Sequence, residues 1–332
     1  FAFDQAGGNE NPFALAGSSM KSRGIGIRNN RYYSTVPELL SQIMPSYHKA
    51  LELIQTRNYD FIHTHFVVPS GIVSYLLKKK TGLPYIITAH GSDIPGYNPD
   101  RFKWLHRLIG PVWSKILHQS NAVTAPSHFL KGLIQKQIAC PITVIPNAYT
   151  PTFHGTPGKC KRILVASRLV ERKGVQWLIE ASDVIGDDWD VCIAGDGPYL
   201  PDLKRLVDKV RTSIRFLGFL QREELEQLYL SSSIFVFPSM QENFPMVLLE
   251  AMAAECAIIT TTIPGCNEVV GEAAVKVAPG HVGQLREALA KLTGDAASIS
   301  HYSRLARERV GQYSAQQITA QYEDLFAQVI KQ

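Results

Sequence analysis

The chain lacks any apolar run near the roughly 18–20 residues that cross a bilayer, and no secretion-signal pattern is legible at its start. A membrane-spanning protein is excluded on this reading, and a cytoplasmic one is expected. Cysteine is scarce: five residues, an odd number (Cys140, Cys160, Cys192, Cys256 and Cys266), with no C-x-x-C pair. That usage argues against a disulfide framework or a structural zinc, and for reduced, mostly buried thiols. With 45% hydrophobic and 19% charged residues, disorder, collagen-like repeats and coiled coil are excluded. The G-x-G-x-x-G fingerprint is missing as well, so nicotinamide chemistry loses support.

What is present is length and alternation. At 332 residues the chain exceeds the usual ceiling for one hydrophobic core, and two domains are expected. Residues 1–150 carry 15 Lys+Arg against 7 Asp+Glu and residues 151–332 carry 19 against 22, within a net charge of +5. A basic first half, with Lys78-Lys79-Lys80 within it, suits an anionic partner such as membrane headgroups, a phosphorylated acceptor or nucleic acid; a solvated lysine face reads equally well. The first residue is Phe1 and residues 1–24 show no clear period, so a fragment or a processed form is expected.

From Tyr59 onward, strand-length apolar runs alternate with helical patterns. Strands are expected at Tyr59–Phe66, Pro84–Ala89, Asn121–Ala125 and Ile142–Ile145, with helices at Gly71–Lys80, Arg101–Gln119 and Ser127–Gln137, the last N-capped by Ser127. Pro146–Lys161, dense in Pro, Gly and Thr, reads as a linker. Strands then recur at Arg162–Ala166, Asp190–Ala194, Ile214–Phe216, Ile234–Pro238, Ala257–Thr261 and Ala274–Val277. The helices between and after them are Val175–Val184, Tyr199–Val210, Arg222–Ser231, Pro245–Ala254 and Val282–Leu292. Such alternation predicts an α/β protein of two Rossmann-like domains, 1–147 and 148–314, followed by a C-terminal helix at 315–332 expected to cross back to the first domain. Ligands of such folds bind outside the carboxyl ends of the strands, here in a cleft between the domains.

Four patches sit at such ends. Ser167-Arg168-Leu169-Val170-Glu171-Arg172-Lys173-Gly174 puts Arg168 and Lys173 between a strand and a helix start, where cations and exposed N–H groups suit a diphosphate; a solvated basic turn is the plainer reading. Ala194-Gly195-Asp196-Gly197-Pro198 allows positive φ and close backbone approach to a ligand, with Pro198 suited to a first helical turn, although Gly-Asp-Gly turns are common. In Glu242-Asn243-Phe244-Pro245-Met246-Val247-Leu248-Leu249-Glu250, chance alone supplies such a glutamate pair in a chain with 16 glutamates, so position carries the argument. Glu242 precedes the helix, and the Glu250 side chain is expected to tilt toward the same mouth, where both can accept from sugar hydroxyls. Finally, His90 in Ala89-His90-Gly91-Ser92-Asp93 follows a strand and could act on a reacting hydroxyl, or simply cap the turn. His63 and His65 share a strand face without a third ligand and read as packing and cleft-lining groups.

Together these segments resemble the retaining GT-B glycosyltransferases of family 4. The match is carried by SRLVERKG, GDGP, ENFPMVLLEAMAA, AIITTTIPGCNEVVG, ITAHGSD and VIPNAYTPTF, in family order from about Arg31 to the end. The resemblance implies transfer of a hexose from a UDP- or GDP-sugar to a glycan, lipid or small-molecule acceptor, without a cofactor or metal, and no role for nucleic acid. It implies that Arg168 and Lys173 hold the diphosphate, Glu242 the donor sugar and Glu250 the ribose, with Gly195, Gly197, Leu220, Asn243, Phe244, Met246 and Val247 completing the donor site and His90 near the reacting centre. Peripheral contact with an anionic inner membrane face is a further expectation. The family usually has glycine at the position of Glu255, and other residues at Ala148-Tyr149-Thr150; both departures are expected to be near-neutral in function. The family's opening strand and glycine-rich turn find no match before Arg31, so about one β-α-β unit of the first domain is expected to be missing. A homologue that binds nucleotide without transferring it, and a nucleotide-sugar epimerase of the same fold, are the alternatives.

Overall fold

The computed structural model describes residues 36–97, 103–151 and 158–331. Among these, no helix is long and apolar enough to cross a membrane. The chain divides into two compact units. One holds the residues up to Ala125, Leu130–Val144 and the chain from Glu323; the other holds Pro126–Phe129 and Ile145–Tyr322. The expected missing β-α-β unit falls before Arg31, outside the described residues.

In the first unit, α1 (Val36–Ser41) and α2 (Ile43–Thr56) precede β1 (Ile62–His65), α3 (Ser70–Thr81), β2 (Tyr85–Thr88), α4 (Lys103–His118), β3 (Ala122–Ala125), α5 (His128–Gln135) and β4 (Thr143–Val144). The strands pair in the order β1-β2-β3-β4, all parallel. β2 is buried along its whole length, as a parallel strand covered on both faces must be. Its neighbours in the core include Val67, Trp113, Ile116, Val123 and Leu130. Within this unit Phe326, near the end of the chain, packs its ring 4.7 Å from that of Phe61.

The second unit contains β5 (Cys160–Ala166), α6 (Val175–Glu180), β6 (Asp190–Ala194), α7 (Leu200–Val207), β7 (Ile214–Gly218), α8 (Arg222–Ser231), β8 (Ser232–Phe237), α9 (Met246–Ala253), β9 (Ala257–Thr261), α10 (Pro264–Val270), β10 (Val275–Val277), α11 (Val282–Gly294), α12 (Ala296–Val310) and α13 (Ala315–Ile330). Its six parallel strands run β10-β9-β8-β5-β6-β7, so the order reverses between β5 and β8. Alternate residues feed two cores: Leu164, Cys192, Phe235 and Ile258 on one face, Ile163, Val191, Ile234 and Ile259 on the other. The five cysteines are free, and three of them, Cys192, Cys256 and Cys266, are buried.

Several local expectations are corrected. The helix from Val175 stops at Glu180 and gives way to a separate 3-10 turn, Ser182–Val184. The proline in the first turn of α7 is Pro201, with Pro198 in the loop before it. The amide of His128 at the start of α5 donates to Glu268 Oε2 (2.6 Å) and that of Phe129 to Glu268 Oε1 (2.8 Å), so a carboxylate caps this helix. Ser127 stands immediately ahead of the helix, and its hydroxyl donates to Asn243 Oδ1 at 2.5 Å.

Glu255 bears on stability through its backbone. It follows α9 with φ +57°, and two bonds close the helix end: Glu255 N–H to Met252 O and Cys256 N–H to Ala251 O, each 3.0 Å. This paired closure requires a left-handed residue at the Glu255 position, which favours glycine. Arg307 Nη1 donates to Glu255 Oε1 at 2.8 Å from a side chain 70% exposed, a contact that contributes little. Glu255→Gly is therefore expected to stabilise the protein by about 1 kcal/mol, read as a higher urea midpoint.

Candidate functional site

In open parallel sheets the ligand crevice lies where the strand order reverses, outside the carboxyl ends. That point in the second unit is flanked by the loops after β5 and β8. Backbone bonds stitch these loops, and the one after β6, to one another. Leu169 N–H donates to Asp196 O (2.8 Å), Tyr199 N–H to Leu169 O (3.0 Å) and Met240 N–H to Arg172 O (2.9 Å). The stitching leaves no room for side chains at three glycines. A Cβ on Gly195 (φ +129°) would lie 1.9 Å from Ser167 O, one on Gly197 2.1 Å from Leu169 O, and one on Gly174 (φ +73°) 2.0 Å from Pro238 O. The close approach expected at a ligand is thus made, at Gly195 and Gly197, to the protein's own backbone.

The 3-10 turn Glu171–Lys173 carries Lys173 to Glu242. Their side chains are 14% and 13% exposed, and Lys173 Nζ pairs with Glu242 Oε1. Ser239 Oγ donates to the same oxygen at 2.8 Å, while the ammonium lies 5.2 Å from the centre of the Phe237 ring. Lys173 and Glu242, distant in sequence, therefore share one polar spot just ahead of α9. Arg168 is exposed at the start of the same loop. Asn243 is buried. Phe244 turns its ring inward, 5.5 Å from Tyr313, so only its backbone is available to a ligand. Leu220, Met246 and Val247 are partly buried against the same core.

Glu250 lies within α9. It lines a small cavity of about 50 Å³ with Tyr149, Arg222, Leu225, Glu226 and Tyr229. Burial raises its carboxyl above the ordinary range, against the pull of the Tyr229 hydroxyl and the Arg222 charge. The Tyr229 hydroxyl is buried beside this carboxyl. Tyr149 is a wall of this cavity. Nothing in the sequence singles out Tyr149, Arg222, Tyr229 or Ser239. Tyr149, Arg222 and Tyr229 share no local motif with Glu250, and only the folded chain gathers them.

In the first unit, His90 leaves the end of β2 and is held by Asp93. The buried Asp93 carboxylate accepts from the amides of His90 (3.2 Å), Gly91 (2.9 Å) and Val67 (2.8 Å), and the Trp113 indole donates to its carbonyl at 3.0 Å. His65 Nδ1 lies 2.9 Å from His90 Nε2, and the His63 and His65 rings are 4.8 Å apart on one strand face. His63 Nε2 meets Thr88 Oγ1 at 2.8 Å. Burial holds all three imidazoles below the ordinary histidine range, His63 at about 3 and His65 at about 4. Of the three lysines 78–80, Lys78 turns inward to Gln119 O and Asn121 Oδ1, each 2.8 Å away.

Comparison with known proteins covers both units. A model of the glycosyl transferases group 1 matches residues 160–295, and one of glycosyltransferase family 4 matches residues 11–153. The N-acetyl-alpha-D-glucosaminyl L-malate synthase of Bacillus anthracis is 27% identical over 305 residues, 85% of this chain and 78% of that protein. A Bacillus subtilis protein named as a candidate teichuronic acid biosynthesis glycosyltransferase is 27% identical over 263 residues, 73% of this chain. The match spans only 64% of that relative, and likewise 64% of an uncharacterised glycosyltransferase of Methanocaldococcus jannaschii. Among solved structures, sucrose-phosphate synthase of Thermosynechococcus elongatus superposes with a TM-score of 0.75 at 20% identity, covering 90% of this chain and 81% of that one. An Anabaena protein solved with UDP gives 0.73 at 18% identity, covering 87% and 84%. These likenesses show the fold. With family models matching its two halves in turn, the chain belongs to the glycosyltransferases of group 1 and family 4.

Proposed function

We propose that the protein transfers a hexose from a UDP- or GDP-sugar to an acceptor hydroxyl with retention at the anomeric carbon. The observation that carries this reading is the Lys173–Glu242 pair beside the point where the strand order reverses. As the bond from the anomeric carbon to the diphosphate oxygen breaks, negative charge builds on that oxygen. Lys173 and Arg168 are the fixed cations that stabilise it, together with the amides at the start of α9 around Phe244, Met246 and Val247. Two cations and a helix end serve the leaving group without a divalent metal. Glu242 accepts from a donor-sugar hydroxyl. Glu250 takes the ribose, and the Tyr229 hydroxyl beside it is a natural partner for a ligand hydroxyl. His90 acts at the acceptor. The acceptor is a glycan, lipid or small molecule in a cytoplasmic setting, and Lys79 and Lys80 are the exposed part of the basic segment offered to an anionic membrane.

The test is incubation with a panel of UDP- and GDP-sugars and mixed acceptors in EDTA, following nucleotide release and the anomeric configuration of the product. Transfer with retention supports the reading. Nucleotide binding by calorimetry without release on any donor would favour a binding homologue, and donor conversion without acceptor would favour an epimerase. An inverted product, or loss of turnover in EDTA, would overturn the mechanism.

A further inference from the structure

We propose that His65 is a positioning residue that sets the tautomer of His90. The inference rests on the reading of His90 as the side chain at the reacting hydroxyl. β1 and β2 run parallel with His65 opposite Thr88, so adjacent strand ends deliver both rings to one place. Phe66, next in sequence, has φ +71°, an uncommon conformation for an aromatic residue and one associated with functional sites. The turn lays its ring 4.7 Å from the His90 ring. His90 is thus flanked by Phe66, held at its amide by Asp93, and met at Nε2 by His65 Nδ1 at 2.9 Å.

That contact has room for one proton. Two neutral imidazoles that meet nitrogen to nitrogen must be complementary: either His65 carries the hydrogen on Nδ1 and His90 on Nδ1, or His90 carries it on Nε2 and His65 on its own Nε2. In both cases the state of His65 dictates what His90 presents at Nδ1, as donor in the first and acceptor in the second. Burial keeps both rings neutral over the physiological range, which is the condition for this coupling. His63, engaged by Thr88 Oγ1 and packed against His65, buttresses the second ring. His65 needs no contact with substrate for this role.

The experiment compares the full chain with His65→Leu, which removes the nitrogen, and His65→Asn, whose amide occupies the Nδ1 position. Nitrogen-15 NMR of the imidazoles is read first. The His90 pattern should match one tautomer in the parent and His65→Asn proteins and become a mixture in His65→Leu. With a donor that supports transfer, His65→Leu should lower kcat by about 10–100-fold at unchanged donor KM. His65→Asn should recover most of that loss, and His65→Leu should add nothing in a His90→Gln background. An unchanged His90 tautomer, or additive losses in the double variant, would overturn the proposal. If no donor supports transfer, the transferase reading fails while the NMR comparison still decides this one.

Discussion

Lys173→Ala is expected to lower turnover by about 10²–10³-fold, the scale set by removing one fixed group that stabilises charge in a transition state. The pairing with Glu242 adds a second consequence that position in the sequence does not reveal. Both side chains are largely buried, and removing one partner of such a pair leaves the other uncompensated, here at about 2–3 kcal/mol of stability. Ser239 still donates to the stranded carboxylate, which keeps the loss toward the lower end. The two effects separate in the double variant Lys173→Ala with Glu242→Gln, where no unpaired charge remains. Urea unfolding should show most of the stability returned, while kcat at saturating donor stays low. Recovery of turnover along with stability would show that Lys173 acts only as a structural partner.

Acidification is expected to weaken the fold by about 5 kcal/mol between pH 6.5 and 4, through His63 and His65. Their folded-state values, about 3 and about 4, lie below the ordinary 6.5, chiefly because burial disfavours the charged rings, with the two histidines also opposing each other. The unfolded chain therefore takes up protons first as pH falls. The stability is fully present above about 6.5 and is lost progressively toward pH 3. Asp93, raised by burial against its backbone bonds, works the other way and offsets part of the loss at the acid end. The measurement is the urea midpoint at stepped pH. His63→Gln, which can keep a bond to Thr88 without titrating, should flatten the profile by about half. A profile that is level from pH 6.5 to 4 would show that these rings are not held neutral by the fold.

The central strands of the second unit were legible because both faces of a parallel sheet are buried, so Asp190–Ala194 and Ala257–Thr261 read as near-continuous apolar runs. The elements that were missed carry weak patterns. α12 is polar and buries only Ala306, α2 buries nothing, and α10 is seven residues between a proline and a glycine. The site shows the same division. The chemistry of Lys173, Glu242 and His90 could be suggested by residue type at a strand's carboxyl end. Their partners could not, since Lys173 and Glu242 are 69 residues apart and His65 meets His90 only across the β1–β2 pair. Nor could the sequence show that Glu250 would share a small cavity with Tyr149, Arg222 and Tyr229.

The stitching of the loops after β5, β6 and β8 uses main-chain atoms and glycines almost throughout. Its geometry is therefore indifferent to most of the side chains mounted on it. An exposed side chain such as that of Met240 can be exchanged while the frame beneath it stays in place, whereas a single methyl at Gly174, Gly195 or Gly197 would force neighbouring loops apart together. Libraries built on this unit should vary such exposed side chains and leave the three glycines untouched.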